Sequence, residues 1–269
     1  MKNILFSTDL SKHACNIALY AAYLCRYIGA RLIIFHAYEP TGQHAQSPQH
    51  VHMERAVQSK MDNLTWKLKK VPSLSITRLL KPHLSEDETL YIAQKIKADL
   101  VIMSADNARP AASNATLTLL TNAQLPTLLV PPKAAFNPFS RIAIFEETGE
   151  QPVNCIGINF LRHLSDSTRH LELIRHLQAH QHNVYAAANK EVNTAQPLHA
   201  NSSTPSYSII NGAQENLALI ITVCQPELIV LPAPMADTAP AMASRIKSVQ
   251  NKFIPILLVP PVEAQVALA

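Results

Sequence analysis

Glycine is scarce in this chain, which has 5 glycines among 269 residues. Loops that hold phosphate groups depend on glycine, because their backbone N–H groups approach the phosphates closely and often at positive φ. No glycine-lysine phosphate loop occurs in the sequence, and the G-x-S-x-G turn of many serine hydrolases is also missing. The composition therefore argues against the common P-loop nucleotide-binding proteins and against this type of hydrolase.

Long apolar runs are missing as well. None approaches the roughly 18 residues that cross a bilayer, and the longest candidate, residues 217–224, has the length of a core segment. The first ten residues include Asp9 and lack the apolar stretch of a signal peptide. We therefore expect no membrane span and a location in the cytoplasm.

Strong charge and cysteine patterns are absent too. The net charge is +4, and the lysines and arginines are scattered with few aromatic residues between them, so we expect no nucleic-acid partner. The 4 cysteines show no C-x-x-C spacing and are typical of reduced core thiols. Adjacent carboxylates such as Glu146 and Glu147 would face opposite sides of a strand, and nothing in these patterns predicts an enzyme.

What the first half does contain is a regular alternation of short apolar runs and helical patterns. Strands that are apolar throughout suit a parallel sheet covered on both faces. The alternation predicts an open, doubly wound (Rossmann-like) α/β layer with a five-stranded, mainly parallel sheet, and Ser11 as the N-cap of the first helix. Strands are predicted at 3–8, 31–37, 75–80, 99–104 and 126–131, and helices at 12–28, 53–69, 86–97 and around 114–123.

The same pattern occurs a second time. The segment "RIAIFEE" (141–147) follows the pattern of "NILFSTD" (3–9), and "PELIVLPA" (226–233) that of "ADLVIMSA" (98–105). Such landmarks at similar offsets indicate a duplication. We predict two tandem domains, residues 1–135 and a degenerate copy at 141–269, joined by a proline-bounded linker at 133–140. A further strand is predicted at 170–175. The stretch 176–206 is polar and contains "NTAQPLHANSSTP" (193–205), which is predicted to be a loop.

Each half closes on nearly the same heptad, "PTLLVPP" at 126–132 and "PILLVPP" at 255–261. Two prolines cannot donate to a sheet, so these are predicted to be terminal strands at a sheet edge. An apolar edge exposed on a monomer would favour aggregation. We predict that the two copies cover each other's edge in an intramolecular pseudo-dimer; a further homodimer through other surfaces is an open alternative.

The order of these segments resembles the universal stress protein family, and specifically its tandem-domain members. The resemblance covers nearly the whole chain and implies a five-stranded parallel α/β sheet in each half. It also implies a nucleotide site, because many members bind ATP through an Asp after the first strand, backbone of the second strand, and a glycine series after the fourth. The segments that resemble the family are "ILFSTDLS" (4–11), "IGARLIIFHAYEP" (28–40), "ADLVIMSA" (98–105), "LPTLLVPP" (125–132), "RIAIFEE" (141–147), "PELIVLPA" (226–233) and "IPILLVPP" (254–261).

Residue by residue, the resemblance implies a degenerate version of that site. Asp9 stands at the adenine position and Ala37 at the second-strand position, while Ser104, Asn107 and Ser113 fall near the glycine positions. Side chains there would obstruct a phosphate cradle. The chain therefore resembles a family member without the ATP motif. We expect no cofactor, and a bound ATP is the alternative. Asp9 could equally be a polar strand-end residue or a helix cap.

Histidine is plentiful, with 12 residues. His44, His50 and His52 fall in a predicted polar loop and are the nearest approach to a metal site, because imidazoles presented together by an extended segment suit zinc. Ordinary surface histidines are the alternative. His176 and His180 would share a face if a helix ran there.

These patterns predict a non-catalytic stress-response or regulatory protein of the universal stress protein type, acting through an unknown protein partner or a small ligand. Two alternatives stay open. The first is an ATP-binding stress protein with weak ATPase activity, and the second is a zinc-associated binding protein.

Overall fold

The chain divides into two compact units, Met1–Phe136 and Asn137–Ala269. The computed structural model describes residues 1–38, 48–82, 88–105, 117–120, 122–123, 125–147, 172–178, 206–211, 225–232 and 253–259. Within these ranges no helix combines the length and the apolarity needed to cross a membrane.

The first unit is a five-stranded parallel sheet with helices in its connections. Its strands stand in the order β3-β2-β1-β4-β5, and each pairing between them is parallel. Residues 117–120 are also helical. The elements are β1 (Asn3–Ser7), α1 (Ala14–Ile28), β2 (Arg31–Ala37), α2 (Pro48–Leu68), β3 (Ile76–Lys81), α3 (Glu88–Lys95), β4 (Leu100–Ser104) and β5 (Thr127–Val130).

The second unit repeats this arrangement. Its strands stand in the order β8-β7-β6-β9-β10, again parallel at each pairing, so β6 takes the central place that β1 has in the first unit. The predicted fold class, two tandem doubly wound units with five-stranded parallel sheets, is confirmed. The strands are β6 (Arg141–Glu147), β7 (Glu172–Gln178), β8 (Ser206–Asn211), β9 (Leu228–Pro232) and β10 (Ile256–Val259).

Helix α1 covers the middle of the first sheet, where it packs on β1, β2 and β4. Small side chains on its buried face, Ala18, Ala21 and Ala22, let the helix approach the strands closely. The helix ends at Gly29, whose φ of 69° is left-handed, and the N–H of Ala30 donates to the carbonyl of Cys25 at 2.8 Å. This is the glycine stop expected from the sequence.

Three boundaries differ from the sequence predictions. Helix α1 begins at Ala14 with His13 in the N-cap position and no side-chain cap, so Ser11 as the N-cap was wrong. Helix α2 begins at Pro48, well before the predicted residue 53, because proline's fixed φ suits the first helical position. The strand predicted at 170–175 is β7 at Glu172–Gln178, so His176 lies in the parallel ladder to β6 and the condition for a shared helix face with His180 is not met.

Candidate functional site

The candidate site lies at the carboxyl edge of the first sheet, between β1 and β4. The chain leaves β1 toward β2 on one side, while β4 pairs on the other, so the strand order reverses between β1 and β4. Ligands of open α/β sheets bind in the crevice that such a reversal opens at the strand ends. Asp9 follows β1 and Ser104 ends β4, so both lie at this crevice.

The turn after β1 is held by its own side chains. The Asp9 carboxylate accepts the N–H of Ser11 at 2.9 Å, and the Thr8 hydroxyl accepts the N–H of Leu10 at 3.1 Å. Leu10 has a φ of 54°, in the left-handed region that leucine rarely adopts. Asp9 is exposed to solvent, and one of its oxygens is engaged in fixing the path of the chain toward α1.

The end of β2 is tied to the end of β1. The N–H of Thr8 donates to the carbonyl of Phe35 at 3.0 Å, and Nδ1 of His36 lies 2.7 Å from the carbonyl of Thr8. A carbonyl can only accept, so Nδ1 must carry the proton. The His36 ring also stacks on Tyr38, with centroids 6.5 Å apart. These contacts fix the two strand ends beside one another, with Ala37 between the two aromatic rings in sequence.

The phenol of Tyr38 is held in its neutral form. Burial raises the pKa of Tyr38, and the negative charge of Glu54 raises it further. A neutral phenol after the end of β2 can both donate and accept a hydrogen bond. It offers no base for catalysis near neutral pH.

Three of the five predicted site residues come together at this edge. Ser7 and Phe35 are the last aligned pair of β1 and β2, which puts Asp9 level with Ala37. Ser104 pairs with Val130 of β5, and the N–H of Ala105 donates to that same residue's carbonyl at 2.9 Å. Asn107 and Ser113 lie outside the described residues.

One polar cluster at this edge was missed by the sequence analysis. Glu88, at the first turn of α3, is 8% exposed and forms an ion pair with Lys81 at the end of β3. The Ser7 and Thr89 hydroxyls lie 3.1 Å apart, and the Lys81 ammonium lies 4.7 Å from the centre of the Tyr91 ring. The cluster anchors the start of α3 to β1 and β3. The sequence shows only that a lysine follows a predicted strand and that an acid lies at the start of the next predicted helix, which does not by itself indicate that the two side chains pair.

The predicted zinc site assumed an extended backbone at His50 and His52, and the structure differs there. Residues 48–52 are helical, so the extended segment expected to present His50 and His52 together is wrong. His44 lies outside the described residues. Among the residues that the structure does describe, no three His, Cys, Asp or Glu side chains are grouped so as to hold a metal ion.

The matching positions of the second unit are described only in part. Glu147 ends β6 and corresponds to Asp9 when "RIAIFEE" (141–147) is aligned with "NILFSTD" (3–9). Pro232 ends β9. Residues 233–252 lie outside the described ranges. At the opposite end of this sheet, the Glu227 carboxylate accepts the N–H groups of Ser140 and Arg141 at 2.6 and 3.3 Å.

Comparison with known proteins supports the fold. No family model and no curated protein sequence matches the chain. A universal stress protein from Archaeoglobus fulgidus DSM 4304 is similar over 96% of this chain and 98% of its own, with a TM-score of 0.62 and 12% sequence identity. A candidate universal stress protein from Pseudomonas aeruginosa UCBPP-PA14 is similar over 97% of this chain and 94% of its own, with a TM-score of 0.50 and 12% identity. At such identities the likeness shows the fold alone.

Proposed function

We propose that the chain is a tandem universal stress protein of the type without an ATP motif, with domains at 1–135 and 141–269. It acts as a non-catalytic stress-response module that binds a small ligand or a protein partner at the carboxyl edge of the first sheet. Support comes from the strand order shared by the two units and from the fold likeness over nearly the whole chain. Its location in the cytoplasm stays a prediction from the sequence.

The observation on which this proposal rests is the engagement of Asp9. Its carboxylate accepts the N–H of Ser11 at 2.9 Å, in a turn that the Thr8 hydroxyl and His36 also stabilise. A carboxylate used to fix a turn has less capacity to hold an adenine ring. Because no glycine follows β4 until well beyond β5, the backbone cradle for phosphates is missing as well.

The alternative, an ATP-binding protein with weak ATPase activity, has one observation in its favour. Asp9, Ala37 and Ser104 lie at the carboxyl ends of three adjacent strands, β1, β2 and β4, and Asp9 is exposed there. If the Asp9 carboxylate contacts the adenine ring, Asp9→Ala weakens nucleotide binding. If Asp9 serves the turn, the same change lowers stability by about 0.5–1.5 kcal/mol, the usual net contribution of one hydrogen bond.

Calorimetric titration of the full chain with ATP and AMP, with and without Mg²⁺, separates the two. We expect no saturable binding at millimolar nucleotide, and a lower unfolding midpoint for Asp9→Ala. Lys12→Ala, an exposed change in the same connection, is the matched control and should leave the midpoint unchanged. Micromolar binding that Asp9→Ala abolishes would replace our proposal with the nucleotide-binding alternative.

A further inference from the structure

The opposite, amino edge of the first sheet brings together residues that are far apart in the sequence. The N–H of Arg31 donates to the carbonyl of Lys2 at 2.8 Å, and the N–H of Asp99 donates to that of Asn3 at 2.9 Å. The starts of β2, β1 and β4 therefore lie side by side. Helices α1, α2 and α3 each run back from the carboxyl edge, so their last turns reach this same edge.

Exposed cations dominate this edge. Some stand at strand starts, and others at or just beyond the ends of α2 and α3. Within the described part of the chain, none of them forms an ion pair. We call the set the basic edge, and its members are Lys2, Arg31, Lys67, Lys69, Lys70 and Lys97.

The carboxylate of Asp99 lies among these cations and offsets only part of their positive charge. One carboxylate oxygen of Asp99 accepts the N–H groups of Lys2 and Asn3, at 2.7 and 2.9 Å. A cation in the last turn of a helix, such as Lys67, is favoured by the helix macrodipole for structural reasons alone. That explanation does not reach Lys2 or Arg31, which stand at strand starts.

Trp66, the chain's single tryptophan, stands next to these cations. It lies in the last turn of α2, and 62% of its surface is exposed. Its carbonyl accepts the N–H of Lys69 at 3.2 Å, so the last turn of α2 leads directly into Lys69 and Lys70, three and four residues after Trp66. An exposed indole at the same edge as these cations combines a stacking platform with phosphate-binding charge, the two parts of a surface for single-stranded nucleic acid.

We propose that the basic edge and Trp66 bind single-stranded nucleic acid, through its phosphates and by stacking of a base, without reading sequence. The sequence led us to expect no nucleic-acid partner because its cations are scattered; the fold gathers six of the 23 lysines and arginines at one edge. An anionic membrane would be the other polyanion for such a surface. It is less favoured, because Trp66 is accompanied by lysines and not by a continuous apolar face.

The test is a titration of the full chain into a fluorescein-labelled oligothymidylate of about 15 nucleotides, followed by anisotropy at several salt concentrations. Lys69→Glu/Lys70→Glu should weaken binding about tenfold and reduce the salt slope by about 0.7 for each phosphate that the variant no longer neutralises. Trp66→Ala should weaken binding about tenfold, because the indole no longer stacks on a base. With unlabelled oligonucleotide, the fluorescence of Trp66 should be quenched on binding.

The matched control is Lys12→Glu/Lys60→Glu, which makes the same change in net charge at exposed positions away from this edge. It should retain binding within about threefold, because distant charges are screened. The proposal is overturned if the wild-type chain does not bind at low salt, or if the control weakens binding as much as the edge variant. It is also overturned if the chain binds phosphatidylglycerol vesicles and leaves the oligonucleotide free.

Discussion

The hydroxyl of Tyr20 is a buried polar group inside the first unit. Tyr20 is 2% exposed on α1, and its ring meets Phe136 edge to face with centroids 5.4 Å apart. Its hydroxyl has no hydrogen-bond partner within the described residues. An unpaired buried hydroxyl costs about 1–3 kcal/mol. Tyr20→Phe keeps the ring contact, so we expect it to raise the free energy of unfolding by about 1 kcal/mol in urea denaturation.

The pH dependence of this variant gives a second readout of the same prediction. Burial raises the pKa of Tyr20, so the folded chain keeps this proton above about pH 10, where the unfolded chain releases it. The folded state then binds more protons, and stability falls as the pH rises through that range. Tyr20→Phe should lose this part of the decline. Tyr23→Phe, on the exposed face of α1, is the control. The argument would be contradicted if Tyr20→Phe lowered the free energy of unfolding, or if its stability declined at alkaline pH as steeply as that of the wild-type chain.

Residues at strand ends could be placed from the sequence, whereas pairs between elements could not. Asp9, Ala37 and Ser104 each end or follow a predicted strand, and parallel strands bring such residues to one edge. The pairing of Lys81 with Glu88 depends on where α3 meets the sheet, which local patterns do not encode. Asn107 and Ser113 remain sequence predictions.

At the scale of elements, the apolar strand β2 was predicted accurately, whereas the half-polar strand β8 was not predicted. The prediction for β2, "RLIIFHA", matches the structure at both ends, because a continuous apolar run suits a central parallel strand. Strand β8, "SYSIIN", was not predicted, since it lies at the end of the second unit's order and is half polar. Its ladder to β7, a tertiary contact, makes it a strand.

Both units fasten the start of their first strand in the same way. An acid just before the fourth strand accepts backbone N–H groups at the start of the first: Asp99 in the first unit and Glu227 in the second. The shared device supports the duplication indicated by the sequence. It also gives the central strand a fixed amino end, because backbone donors there would otherwise depend on water.

Removing this acid should loosen the strand start. We expect Asp99→Ala to lower the free energy of unfolding by about 1–2 kcal/mol, because it removes charge-assisted hydrogen bonds to backbone donors. Hydrogen exchange should speed up at Lys2 and Asn3 first. Asp99→Asn keeps one acceptor oxygen and should be destabilised less. If the amides of Lys2 and Asn3 exchange at the same rate in Asp99→Ala as in the wild-type chain, the carboxylate does not hold the start of the strand.

At the scale of the whole molecule, the repeated heptads become β5 and β10, each the last strand in its own unit's order. Within its unit, each has a single strand neighbour, β4 or β9 respectively. Both are apolar, "TLLV" and "ILLV", so a unit standing alone would risk pairing with other chains. This is the physical reason for our sequence prediction that the two halves form an intramolecular pseudo-dimer.

Cutting the chain between the units tests that prediction. Phe136 packs on Tyr20 of α1, and Phe139 is 2% exposed, so a protease site inserted between Asn137 and Pro138 leaves both aromatic anchors in place. After cleavage, we expect the two fragments to elute together at the mass of the intact chain, 29.6 kDa, in size-exclusion chromatography with light scattering. If the uncut chain elutes at 29.6 kDa, it is a monomer; if it elutes at twice that mass, it forms the further homodimer. Fragments that separate under native conditions, each folded by circular dichroism, would show that neither apolar edge needs the other half.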